Sequence, residues 1–142
     1  MALVNVNYGA NVACTVTVKN AGQAKGTFRL TGEILLPDGT VGGHFWDKLV
    51  RGDPLKAGDL IRAAGAVDHI DVTLEPGQSA QITMYTAPLY ADPGKTANYA
   101  VRWRLLCLET NQYAEKLDTY AIQVTAPTPP MPQIVDRSYA VA

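Results

Sequence analysis

The stretch "YAVRWRLLCL", residues 99–108, decides the fold. Tyr99, Val101, Trp103, Leu105 and Cys107 fall on one side of an alternating pattern, with Arg102 and Arg104 on the other. A period of two is that of a strand with one buried and one solvated face. Working outward, "TYAIQVT", residues 119–125, aligns Tyr120, Ile122 and Val124, and "AQITMYT", residues 80–86, aligns Ile82 and Met84. Before it comes "VDHIDVTL", residues 67–74, with Val72 and Leu74. The intervening "EPGQS" supplies Pro76 and Gly77 for a tight corner. Nearer the start, "NVACTVTVK", residues 11–19, puts Val12, Cys14, Val16 and Val18 on one face. In "TFRLTGEILL", residues 27–36, Phe28, Leu30, Ile34 and Leu36 align before the turn "PDGT".

Residues 41–66 are the least regular stretch and read as a long loop. Within it "GDLIRAAGA", residues 58–66, predicts one short helix, with Asp59 as N-cap and Gly65 as stop. Strands punctuated by turns, without alternating helices, imply antiparallel sheets packed face to face. The expected organisation is an N-terminal extension or first strand over residues 1–10, an all-β sandwich over 11–125, and a proline-rich arm over 126–142.

The chain has 142 residues, 47% of them hydrophobic, enough for one sizeable core. Twelve basic and 13 acidic residues give a net charge of -1, which offers no basic field to a phosphate backbone, so nucleic acid is not an expected partner. Charged residues are only 18% of the total, below the usual quarter, consistent with a surface partly covered by other chains. The start "MALVNVNYGANVAC" has no basic n-region followed by an apolar run, and no segment is long enough to span a bilayer. The expectation is synthesis in a cytoplasm without a signal peptide, and no membrane partner.

The strings "VTVKNAG" (16–22), "VTLEPGQSAQITMYT" (72–86) and "ANYAVRWRLLC" (97–107) resemble immunoglobulin-like domains of the CARDB and related types. The resemblance covers roughly residues 11 to 125 and implies an antiparallel immunoglobulin-like β-sandwich. In antibody domains of that fold, early and late strands are bridged, which implies a possible disulfide between Cys14 and Cys107 near Trp103. In a reducing compartment the alternative is two buried thiols. The segment 41–66 is longer than such modules carry, and the arm lies outside their pattern. A free-standing small sandwich with an extended arm resembles the head decoration, or cementing, proteins of tailed bacteriophages.

Candidate chemistry is sparse. In "VDHIDV", Asp68, His69 and Asp71 bring an imidazole and two carboxylates together, but on a strand Asp68 faces away from the other two, leaving fewer ligands than a metal needs. There is no Gly-x-Ser-x-Gly elbow and no phosphate-binding glycine loop. The expectation is no catalytic residue, no metal and no cofactor. His44, Phe45, Trp46 and Asp47 form a cluster read either as a partner-binding knob or, for Phe45 and Trp46, as a plug at one end of the sandwich. Arg102 and Arg104 suit a solvated face or ion pairs to a neighbouring chain.

The segment "APTPPMPQIVDRSYAVA", residues 126–142, begins with Pro127, Pro129, Pro130 and Pro132, a stiff polyproline spacer. Ile134, Val135, Tyr139 and Val141 follow, residues that prefer burial and suit strand addition to a neighbour's sheet. The sequence therefore predicts a non-enzymatic structural protein with Phe45, Trp46, Arg102, Arg104 and the four arm residues at interfaces. Its expected partners are copies of itself, as a trimer, and a major capsid protein lattice on the virion surface. The alternative is a bacterial extracellular or cell-surface CARDB-like module that binds a protein or glycan.

Overall fold

The computed structural model describes residues 4–49 and 66–142. Eight strands make up the body: β1 (Val4–Asn7), β2 (Ala13–Lys19), β3 (Gly26–Leu35), β4 (Val41–Trp46), β5 (Ile70–Leu74), β6 (Ser79–Thr86), β7 (Thr96–Cys107) and β8 (Tyr113–Thr125). The described residues contain no helix, and all but the last residue of the expected helix at 58–66 lies outside them.

The strands run in the order β1-β8-β7-β3-β4-β6-β2, with β5 also paired to β3. Two layers result, because β4 changes partner midway. Gly43 and His44 pair with Ile34 and Glu33 of β3, and then Phe45 and Trp46 pair with Thr86 and Tyr85 of β6. A strand that leaves one sheet for another turns a corner in the sandwich. One layer is β1, β8, β7, β3 and β5, the other is β6 and β2, and β4 joins them.

Pairing is not antiparallel throughout: β1 lies parallel to β8, Val4 beside Ile122 and Val6 beside Val124. The stretch 41–46, expected as loop, is β4. Its two glycines hid the alternation, and packing explains one of them, since a Cβ on Gly42 would lie 2.6 Å from the Leu36 side chain.

The core lies between the layers and includes Leu30, Ile34, Phe45, Leu74, Met84, Leu89, Val101, Trp103, Ile122 and Val124. Phe45 packs on Trp103 with ring centroids 4.6 Å apart, a tilted pair. Gly32 sits opposite Trp103 in the β3–β7 ladder, and the indole lies over it. Tyr120, expected to align with Ile122 and Val124, is instead 61% exposed. The β7–β8 register shifts between Tyr99 and Val101, whose partners are Ile122 and Asp118, so β8 carries two extra residues there and the alternation breaks.

Two polar anchors hold the ends. Asn20, 4% exposed, donates from Nδ2 to the carbonyls of Ala24 (2.8 Å) and Leu74 (3.1 Å) and accepts from the Gly22 N–H at 3.0 Å. Its main chain bonds the Pro76–Gly77 corner, Asn20 N–H to Gln78 and Gly77 N–H to Asn20. At the other end the buried Tyr99 donates its hydroxyl to the Tyr90 carbonyl at 2.8 Å, pinning the loop before β7. The bond is similar in kind to the tyrosine corner of β-sandwiches, a phenol near the start of a late strand bonded to upstream backbone.

Candidate protein-binding surface

The arm leaves the body beside the Asp92–Lys95 turn. Ala126 is buried and donates its N–H to the Lys95 carbonyl, and Gly94 donates to Pro127 at 3.0 Å. Beyond that point every residue from 127 to 142 is exposed and in no regular element. Ile134, Val135 and Tyr139 are 82%, 88% and 89% exposed, and Val141 is fully so. Four apolar side chains stand in water on a spacer whose prolines hold it extended.

The rest of the expected interface set divides. Phe45 and Trp46 are both buried, Phe45 in the core against Trp103 and Trp46 in a separate small cluster with Ala66 and Ala87. Arg102 and Arg104 do point outward, but their partners lie within the chain. Arg102 donates from Nε (3.0 Å) and Nη2 (2.8 Å) to Glu33, while Arg104 lies 3.4 Å from Glu115 and over the Tyr113 ring. The hydrogen bonds to Glu33 push the Arg102 guanidinium pKa up. Sequence alternation found the face and had no means of finding the partners, which come from strands β3 and β8.

That same outer face also carries exposed Leu117 and Tyr120, next to Leu35, Leu36 and Ala100. Leu117 pairs with Arg102 and so shares its face, and Tyr120 falls in the stretch of β8 where the register shifts.

Asp68, His69 and Asp71 do not converge. His69 faces its neighbour Asp68 at 3.3 Å, whereas Asp71 is clasped by Arg29 through two bonds of 2.9 and 3.0 Å. Those bonds from Arg29 lower the Asp71 pKa. Among the described residues no three His, Cys, Asp or Glu gather to hold a metal.

Both cysteines are free thiols. Cys14 shares a cleft with Val101 and Trp103, and Cys107 lies four residues beyond Trp103 on β7, about 13 Å farther along at a strand's rise. That spacing exceeds what a disulfide spans. Burial first, and the neighbouring Asp118 second, push the Cys14 thiol pKa up.

Along β2 the sandwich stays open. Among the described residues β2 pairs only with β6, and its other edge faces a seam above β7 and the first half of β8. Cys14 lines the seam beside Val101, Trp103 and Asp118, and Val16 and Val18 continue it beside Leu105 and Lys116.

No protein-family model matches the chain, and no curated protein matches it in sequence. Among solved structures it is similar to the β-glucuronidase of Bacteroides uniformis, at 18% identity and a TM-score of 0.49, over 80% of this chain and 12% of that one. It is also similar to the ASH / PapD-like domain 7 of human CEP192, at 12% identity and a TM-score of 0.41, over 89% of this chain and 82% of that domain. Both are likenesses of β-rich architecture at low identity.

Proposed function

We propose that this protein is a non-enzymatic structural protein that binds protein surfaces through its 126–142 arm. The observation that carries the reading is the arm itself: four exposed apolar side chains on a proline spacer, fixed to the body at Ala126 and Pro127. From residue 129 to 142 such a segment reaches about 40 Å at roughly 3 Å per residue, enough to leave one copy and arrive at the next. The specific assignment is a bacteriophage capsid decoration protein that assembles as an oligomer, a trimer, and adds contacts across the shell.

The native mass of the full chain beside a version ending at Thr125 tests the arm. A closed oligomer that dissociates without residues 126–142 supports it, and two monomers of unchanged mass count against it. For the shell, undecorated capsids of the parent phage should melt at a higher temperature once the protein is added. An unchanged melting temperature removes the capsid assignment.

A further inference from the structure

We infer that the open seam along the free edge of β2 receives the 134–141 segment of a second copy as an added strand. This deepens the arm reading above and rests on it.

The acceptor is a strand edge that pairs with no other strand among the described residues. Thr86 N–H bonds Val12, and Asn20 N–H bonds Gln78, so the even-numbered residues of β2 direct their main-chain groups toward β6. Ala13, Thr15, Thr17 and Lys19 therefore present theirs to the open side. Natural edges are blunted by charge, proline, bulges or shortness. The free part of β8 carries Glu115, Lys116 and Asp118, and β1 and β5 are only four and five residues long. β2 has seven residues with no charge before Lys19. Its inward side chains Cys14 and Val16 are only half-buried, because nothing among the described residues closes the seam.

Charge selects the occupant. Asp118 lines the seam beside Cys14, and it has no ion-pair partner among the described residues. In the arm, Val135, Arg137, Tyr139 and Val141 share one face of an extended strand, and the Arg137 side chain is likewise unpaired. The arm's one cation then meets the anion beside Cys14, and the seam's own cation, Lys116, lies farther along beside Val16 and Val18.

The match also sets direction. Laid parallel to β2 with Arg137 level with Cys14, the arm brings Val135 beside Val12, Tyr139 beside Val16 and Val141 beside Val18. Run antiparallel from the same point, Tyr139 and Val141 pass beyond the start of β2. The stiff run from Pro127 to Pro132 gives residue 134 a reach of roughly 25 Å from Ala126.

The test uses the full chain and native mass by light scattering, with Asp118→Arg, Arg137→Glu and the double swap. Each single reversal should weaken assembly at least tenfold, and the double should restore it. Arg137 lies on the exposed arm, so its substitution leaves the body folded even where Asp118→Arg does not. Hydrogen exchange supplies the second readout: the Ala13, Thr15, Thr17 and Lys19 amides should be slow in the wild type and fast in Arg137→Glu. Single variants with wild-type mass and unchanged exchange overturn the inference. An oligomer that falls apart on removal of residues 126–142 yet ignores the charge swaps places the arm elsewhere; the seam is then wrong and the arm reading stands. A monomer whose β2 amides are nevertheless slow means the chain's own arm fills the seam, which overturns the second copy.

Discussion

Replacing Asn20 with Ala should cost about 3 kcal/mol, most of it from one buried carbonyl. The side chain makes three hydrogen bonds, to Ala24, Leu74 and Gly22. At about 0.5 to 1.5 kcal/mol net for each, their loss alone is roughly 1.5 to 4.5 kcal/mol. The three are not equal. Gly22 and Ala24 lie on an exposed turn where water replaces the lost partner, whereas the bond to Leu74 is buried and water does not replace it. Losing a buried bond is the expensive part. Urea unfolding at fixed protein concentration, followed by fluorescence, measures the effect, because Trp46 and Trp103 are both buried and shift to the red when exposed. With a slope of about 2 kcal/mol per molar urea for a chain this size, the midpoint should fall by roughly 1.5 M at unchanged slope. Asn20→Asp should be at least as damaging at neutral pH, since a carboxylate oxygen would face the two carbonyls that Nδ2 now binds. A loss below about 1 kcal/mol for Asn20→Ala would refute the claim that this side chain ties the turn after β2 to the end of β5.

Gly32→Ala should destabilise by about 1 to 3 kcal/mol, because a Cβ there would sit 2.5 Å from the Trp103 ring; thermal melts check it, and an unchanged melting temperature would mean the indole has room to move. Asp71→Asn should lower stability at neutral pH and have no effect in strong acid. The folded-state pKa of Asp71 is depressed by Arg29, so its contribution is present above the unfolded value near 3.9 and disappears as pH falls through the lower folded value. Denaturation midpoints of wild type and variant should therefore converge at the acid end, and curves that stay parallel would refute the pair's role. Both thiols should titrate as free in the unfolded chain without reductant, and Cys14 should alkylate more slowly than an unperturbed thiol at mildly alkaline pH in the native one.

Legibility followed the physics of alternation. β2, β3, β6 and β7 were readable because one face of each meets the core and the other meets water, so the period of two is written into residue type. β4 was not, because its job is to cross between layers: Gly42 lets Leu36 pack close at the cost of pattern, Phe45 then enters the core and Trp46 a separate cluster beside Ala87. The first half of β8 was missed for a related reason. Its inward side faces the open seam and not a packed layer, so "YAEKLD" has no apolar face to display. The misplacement of Tyr120 comes from a register shift that no local window reveals, whereas Leu117, paired with Arg102, sits on the outward face that alternation gives it. Of the interface set, the arm residues were legible because burial-loving side chains after a proline spacer are anomalous on composition alone. The partners of Arg102 and Arg104, and the unpaired Asp118 above Cys14, emerge only from long-range pairing.

The energetics of one arm explain why it belongs in an assembly. Burying Val135, Tyr139 and Val141, the apolar side chains that face the seam, yields on the order of 4 to 9 kcal/mol, and half a dozen strand hydrogen bonds add roughly 3 to 9. Fixing about eight or nine backbone units takes away roughly 9 to 17 kcal/mol. The terms nearly cancel, so a single exchange holds two copies weakly. A closed ring changes this, since each further arm docks at high effective concentration and every copy both gives and receives. Such a ring has a specific vulnerability. A version ending at Thr125 keeps the β2 seam and the Asp118 carboxylate but has no arm to pass on, so each one incorporated leaves the ring open at one joint. Mixing full-length protein with an excess of the shortened version should then convert oligomers to small open species over the exchange time, in proportion to the fraction added. An oligomer that keeps its mass through days of mixing, under conditions where labelled full-length subunits demonstrably exchange, would show that the arms do not close the ring.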